Sequence, residues 1–424
     1  MTPARSTLTP EEAEARLLSL ELFGMRFGLD RMRRLMTTLK HPERSFKSIH
    51  VVGTNGKSST TRMIAAILGR HGIKTGSYLS PHLVSFAERS RVEDKDISAQ
   101  QFADALERAL SAADRVNRSA GTDDKVTQFE LLTAAAYDEL ARQQVEVAVI
   151  EAGLGGRYDA TNVLPSSVQV LTGVGLEHTR WLGPTVDAIA REKLDVVKPG
   201  AILVLGSGMH PDATAVANEV ARERHARIIH APADPGLRVG APGAFQRRNF
   251  ALAATTAEAF LGELDAVAVA AAAADTRVPG RLQPIDHDPL TVLDGAHNPD
   301  GIAALIESWP ELTAGIGGRT VAVVSILDDK DAAGMLKQLA PRCDAIVLTA
   351  SQNPRALPPP TLVSLLDQLG GPPTETLRDP QAALKRGREI AGPDGLVVAT
   401  GSIYLIADLL TATQPNSVRR ASML

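Results

Sequence analysis

IHVVGTNGKSSTTRMIAAIL, residues Ile49 to Leu68, is the stretch on which the reading of this chain turns. Its opening is β-branched and apolar, as suits a strand covered on both faces. A glycine loop follows, then Lys57, Ser58, Ser59 and an apolar helical segment. Gly53 and Gly56 let the backbone turn tightly, with Thr54 and Asn55 between them, so that N–H groups point into one concavity. The helix N-terminus adds partial positive charge and Lys57 a full one. Such a strand, loop and helix holds phosphate. The loop is shorter than the GxxxxGK[ST] form, and a hydroxyl after the lysine ordinarily reaches a magnesium ion. The competing reading is a plain tight turn with a solvated lysine.

Outward from this stretch, short apolar runs alternate with helical segments, the signature of parallel α/β architecture. Strands are expected at Ile49–Val52, Thr75–Leu79, Val145–Ile150, Val168–Thr172 and Ala201–Leu205, with helices between them. Gly206–Pro242 gives no clean signal. The passage Val278–Pro289, VPGRLQPIDHDP, breaks the alternation and reads as a hinge. A second set follows, with strands at Thr291–Leu293, Thr320–Ser325, Ala345–Thr349 and Leu396–Thr400; the proline run Leu357–Pro360 reads as a loop. Two domains are expected, an N-terminal α/β domain over 1–280 and a smaller Rossmann-like domain over 281–424.

Composition narrows the function. The chain has 424 residues, 44% hydrophobic and 22% charged, with 45 Lys plus Arg against 49 Asp plus Glu and a formal charge of −4. No general basic field is available for nucleic acid. The longest apolar run, Ala266–Ala274, is too short to span a bilayer, and the start reads as a tail leading into a helix capped by Thr9. The single cysteine, Cys343, excludes an internal disulfide and a Cys-based zinc site. A cytoplasmic monomer that binds neither nucleic acid nor membrane is expected.

Several polar residues fall at the carboxyl ends of the expected strands, where parallel sheets place their ligands. Ser80 ends one run, Glu151 another, and Glu177 and His178 follow a third. A hydroxyl, a carboxylate and an imidazole could hold magnesium beside nucleotide oxygens, although imidazole is an unusual partner for that ion. Each also has a plain structural alternative: a turn serine, a capping carboxylate, a hydrogen-bonded loop histidine. Lys193 would ordinarily be solvated, and DGAHNP, Asp294–Pro299, would ordinarily be a helix start.

Taken together the motifs resemble the Mur ligase superfamily and, within it, folylpolyglutamate synthase/dihydrofolate synthase. The resemblance runs through FGLDRM (Phe27–Met32), VVGTNGKSS, YLSPHL (Tyr78–Leu83), AERSRV (Ala87–Val92), EAGLGGRYDATN (Glu151–Asn162), GLEHTRWLG (Gly175–Gly183), AREK (Ala190–Lys193), PGRLQ (Pro279–Gln283), DGAHNP and GSIYLIADLL. It implies a P-loop ATPase-like Mur ligase domain followed by a Rossmann-like ligase domain. It further implies ATP on Gly53, Thr54, Asn55, Gly56, Lys57, Ser58 and Ser59, with Asn249, Arg281 and Asp294 contributing. Two magnesium ions are implied, one on Ser80 and Glu151 with Ser59 on the loop side, the other on His178 and a carbamylated Lys193. His297 is a weaker candidate for positioning the γ-phosphate or the glutamate. Pterin or pteroate contacts are implied at Leu20, Glu21 and Leu22 and at Tyr158, Asp159 and Ala160. The sequence departs from the family pattern at Ser58, where glycine is usual, at Glu177 and Arg180, where aspartate is common, and at Tyr158, often leucine.

The implied reaction is ATP-dependent addition of L-glutamate to a folate, and also to dihydropteroate, through an acyl phosphate. The same chemistry on another carboxylate acceptor is the alternative, with Tyr158 and Arg180 reshaping the pocket. A nucleotide-dependent binding or regulatory protein is a third class; it would need no second metal site.

Overall fold

The computed structural model describes residues 8–20, 27–118, 121 and 124–411. Two compact units are present. The first comprises the chain up to His82, Phe86–Gly240 and Arg247–Thr276; the second comprises Leu83–Ser85, Ala241–Gln246 and the chain from Arg277 onward. The cut thus falls a few residues before the expected 280, and two short excursions join the second unit.

The first unit is built on eight strands: β1 Lys47–Val52, β2 Thr75–Tyr78, β3 Ser90–Val92, β4 Lys95–Asp96, β5 Val147–Glu151, β6 Val168–Leu171, β7 Ile202–Leu205 and β8 Arg227–His230. Their order across the sheet is β4-β3-β2-β5-β1-β6-β7-β8. Pairing is parallel from β2 across to β8, while at the edge β3 pairs antiparallel with β2 and β4 antiparallel with β3. β1 lies centrally, buried from Ser48 to Val52, which is why its sequence reads as a continuous apolar run rather than an alternating one. One face carries a core containing Met32, Leu106, Leu131, Tyr137 and Ile150; another core gathers Val52, Leu171, Leu194 and Leu203. The opening helix Pro10–Leu18 has Thr9 and Glu12 in a reciprocal capping box, as its sequence suggests.

Three stretches carry elements that the sequence reading left unassigned. Gly206–Pro242 contains helix Pro211–Glu223 and edge strand β8, whose exposed, half-polar sequence hides the strand pattern. The alanine-rich run at 266–274 lies within helix Ala266–Asp275, capped by Asp265 accepting from the Val267 N–H at 2.8 Å. Helix Ala244–Leu261, absent from the expected elements, has too weak an amphipathic pattern to announce itself.

The second unit has six strands: β9 Gln283–His287, β10 Leu290–Leu293, β11 Thr320–Val324, β12 Ala345–Leu348, β13 Thr374–Thr376 and β14 Leu396–Thr400, in the order β13-β12-β11-β14-β10-β9. All pairings are parallel except β9 with β10. Alternation decides the two faces: Ala322 and Val324 enter one core, Val321 and Val323 the other. The expected hinge holds β9, an edge strand whose Pro284 is tolerated at the sheet margin. The proline run at 357–360 leads into helix Pro359–Leu369, because the N–H groups of a first helical turn have no intrahelical acceptor and proline, which lacks an N–H, loses nothing there. Among the described residues no helix is long and apolar enough to cross a membrane.

Candidate active site

Register builds the candidate site of the first unit. Val51 of β1 pairs with Glu151 at the end of β5, and Val52 pairs with Leu171 at the end of β6. Glu151 and Thr172 therefore flank the loop that leaves β1. Gly53 and Gly56 have φ of 150° and 85°, the second in the left-handed region glycine supplies most cheaply. A Cβ on Gly53 would lie 1.9 Å from the Thr172 Oγ1, and one on Gly56 would lie 2.7 Å from the Asn249 Oδ1. The Thr172 hydroxyl donates to the Asn55 carbonyl at 2.6 Å, and the Gly175 N–H donates to the Thr54 Oγ1 at 3.1 Å. The loop is pinned from outside. Helix Lys57–Arg70 starts directly after it, so the helix N-terminus faces the same concavity.

Charged groups converge on this loop. The Lys57 ammonium donates to the Thr54 carbonyl at 3.1 Å, and the Lys193 ammonium to the Gly53 carbonyl at 2.8 Å. Lys193 is buried, against the ordinary expectation for a helix lysine. Burial first, and then the like charge of Lys57, pushes its amine down to about 7, while Glu177, Asp159 and Glu192 oppose that shift. Gly156 makes room for this helix: a Cβ there would meet the Lys193 carbonyl at 2.4 Å. Glu151 is buried, with one carboxylate oxygen accepting the Ser58 hydroxyl at 2.9 Å and the other the Ser80 N–H at 3.2 Å. Ser59 is buried within the same helix. His178 starts helix Thr179–Leu182 at φ 52°, with its Nε2 3.8 Å from the Glu177 carboxylate.

The structure thus brings Gly53–Ser59, Ser80, Glu151, Lys193 and Asn249 together and places His178 beside Glu177. Thr172, which locks the loop, went unassigned in the sequence; a threonine following a central strand was its only signal. Asp159 is turned inward: it accepts from the Leu154 N–H at 2.8 Å and the Thr161 N–H at 3.0 Å, and burial raises its carboxyl. Ala160 is also buried. Tyr158, by contrast, is 40% exposed, edge-on to Phe27 at 5.2 Å and with the Arg157 guanidinium 5.9 Å from its ring. Leu20 packs partly buried on the core, whereas Glu21 and Leu22 lie outside the described residues.

The second unit carries its own polar cluster. Asp294 ends β10, is buried, and accepts from the Leu282 N–H at 3.0 Å and the Ala296 N–H at 2.9 Å. Burial raises its carboxyl while the charge of Arg281 opposes the rise. A Cβ on Gly295 would fall 2.2 Å from an Arg281 guanidinium nitrogen, so the bare glycine admits that side chain. His297 Nδ1 lies 2.9 Å from the Gly295 carbonyl, which assigns the proton to Nδ1 in the neutral ring.

Among the described residues no three His, Cys, Asp or Glu side chains cluster to hold a cation by themselves. A carboxylate with neighbouring hydroxyls beside a phosphate loop nevertheless suits magnesium, a hard ion that takes few protein oxygens and completes its shell with phosphate and water. The glycine cradle fits the nucleotide phosphates.

This combination of a phosphate loop on a parallel sheet and a second Rossmann-like unit defines an ATP-dependent ligase of the Mur type. The family model "Mur ligase, glutamate ligase domain" matches residues 280–403. The dihydrofolate synthase/folylpolyglutamate synthase of Bacillus subtilis is 31% identical, covering 91% of this chain and 95% of that protein. The folylpolyglutamate synthase of Mycobacterium tuberculosis complexed with ADP superposes with a TM-score of 0.88 at 29% identity, covering 96% and 98% of the two chains. The bifunctional Yersinia pestis enzyme complexed with AMPPNP and a Mn ion gives 0.83 at 28%, covering 97% and 100%. The chain belongs to the folylpolyglutamate synthase/dihydrofolate synthase family, whose chemistry uses ATP and a divalent metal.

Proposed function

We propose that this protein adds L-glutamate to reduced folates, and to dihydropteroate, in the cytoplasm and as a monomer. A carboxylate oxygen of the acceptor attacks the γ-phosphorus of ATP, the bond to ADP breaks, and an acyl phosphate forms. The glutamate amine then attacks the acyl carbon, loses a proton, and phosphate departs. The observation that carries this reading is the convergence of the Gly53–Ser59 loop, Glu151 and the buried Lys193 at one strand end.

Phosphoryl transfer asks mainly for positioning and neutralised charge. The loop N–H groups and the helix N-terminus orient the phosphates, and Lys57 supplies a cation at the transferred group. Two magnesium ions, when bound, would neutralise phosphate oxygens and favour departure of ADP. Glu151, Ser59 and Ser80 would hold one of them, and His178 with Lys193 the other. A lysine suits such a place only as an anion: its uncharged amine attacks CO2, forms an N–C bond and loses a proton, giving a carbamate. The amine held near 7 by burial supports that step. Asn249, Arg281 and Asp294 are assigned to ATP, His297 to the γ-phosphate or glutamate, and Leu20–Leu22 and Tyr158 to the acceptor, with the buried Asp159 and Ala160 supporting the Tyr158 loop from behind rather than meeting the acceptor with their side chains. For these last residues the support is the sequence resemblance, joined at Tyr158 by its exposed aromatic pairing with Phe27.

The test is ADP release by the purified protein with ATP and magnesium, comparing dihydropteroate, tetrahydrofolate and no acceptor, each with and without L-glutamate. Release that requires both partners, with a product heavier by one glutamyl unit, is expected. ADP release indifferent to every acceptor would refute the substrate assignment and favour another carboxylate.

A further inference from the structure

The Ser58 hydroxyl occupies a place where it does more than line the loop. Ser58 is the second residue of helix Lys57–Arg70, and its Oγ donates to the Glu151 Oε1 at 2.9 Å. On the opposite side the Ser80 N–H donates to Oε2 at 3.2 Å. An ionised carboxylate only accepts, so both bonds run toward Glu151. Glutamate has three side-chain torsions, and the last, about Cγ–Cδ, is soft. Two donors on different oxygens, one from a helix start and one from the residue segment after β2, fix that torsion. Burial of Glu151 excludes the water that would otherwise supply such donors.

We propose that Ser58 is a positioning residue for Glu151, its hydroxyl holding fixed the carboxylate that would take the divalent ion. The proposal rests on the reading of Glu151 as a metal ligand. In this role Ser58 acts through the carboxylate, by the hydrogen bond its hydroxyl gives to Glu151. Outer-shell donors of this kind are typically worth 10–100-fold in metal affinity, and a single neutral hydroxyl belongs at the lower end, about tenfold.

The test uses the full chain saturated with ADP and titrated with Mn2+, unbound ion being read by electron paramagnetic resonance. Thermal melting confirms that each variant is folded, and ADP binding without metal is measured alongside. Ser58→Ala is expected to weaken Mn2+ binding about tenfold beyond whatever change it makes in metal-free ADP affinity, and Ser58→Thr, which keeps the hydroxyl, to stay near the parent protein. If Ser58→Ala remains within about twofold of the parent while Glu151→Ala loses Mn2+, the positioning role is wrong and the metal site stands. An equal loss in Ser58→Thr and Ser58→Ala also overturns it, since the hydroxyl would not be the operative group. If Glu151→Ala leaves Mn2+ binding intact, the metal assignment beneath the proposal fails.

Discussion

Acidification should loosen the first unit through one buried imidazole. His50 sits in the middle of β1 with no exposed surface. Its Nε2 lies 2.8 Å from the Thr161 Oγ1, and that hydroxyl donates onward to Asp159. Nε2 must therefore carry the proton, while Nδ1 is buried without a hydrogen-bond partner among the described residues. A second proton on Nδ1 would be a buried charge with an unmet donor. Burial, helped by the Lys198 charge, pushes the imidazole down from 6.5 to about 3. Between those values the unfolded chain binds a proton that the folded chain refuses, so stability is full above 6.5 and falls as pH drops toward 3. Each pH unit below 6.5 costs about 1.4 kcal/mol, which at pH 5 amounts to about 2 kcal/mol, or about 25-fold in an opening equilibrium. Amide hydrogen exchange of peptides covering β1, corrected for intrinsic rates, measures this at pH 7 and pH 5. His50→Gln retains a neutral donor and cannot titrate, so its protection should fall about 25-fold less than that of the parent protein. Carboxylates titrating over the same range act equally in both proteins and cancel. Equal losses would refute the reasoning.

Three further outcomes follow from the site. Gly53→Ala should cost about 3 kcal/mol, from a strained φ and the displaced Thr172 hydroxyl, and abolish nucleotide binding; Gly208→Ala, at positive φ with nothing within 4 Å, serves as a control, and equal melting temperatures for the two variants would remove the steric account. Lys57→Ala should abolish acceptor-dependent ADP formation while leaving the melting temperature near the parent value; near-normal turnover takes the loop out of the reaction. Lys193→Ala should be inactive, partly recover with acetate, and lack the mass of one CO2 that the parent protein carries under bicarbonate. Full activity without additive would end the carbamate assignment.

The central strands were plain from the sequence because parallel strands covered on both faces must be apolar throughout, and VEVAVI before Glu151 or VAVV in β11 leaves little choice. What escaped notice was marginal in place or pattern. Edge strand β8, RIIH, has one face on the core and two polar ends, and β9 carries a proline that an inner strand would reject. Within the site, glycines and Lys57 could be read from local order alone. Thr172 could not, since its importance comes from β6 lying beside β1, a neighbour relation between residues far apart in sequence. The inward turn of Asp159 was equally hidden, because DATN reads the same whether its carboxylate faces a substrate or its own loop. Lys193 shows the converse: periodicity places it on a helix, but only packing against Gly53 and Gly156 decides that the position is buried.

The pairing of Val51 with Glu151 and of Val52 with Leu171 has a consequence for how this protein tolerates change in length. A residue inserted into an outer loop lengthens a connection and leaves the ladders alone, at a closure cost that grows only slowly with size. A residue inserted or deleted within β5 would slip the ladder by one and turn Glu151 toward the opposite face. Natural or engineered indels should therefore accumulate around Gly206–Pro242 and avoid the few positions preceding Glu151 and Thr172. The alignment of the candidate site groups is stored in strand phase, and a shift of phase moves every side chain beyond it to the other face at once.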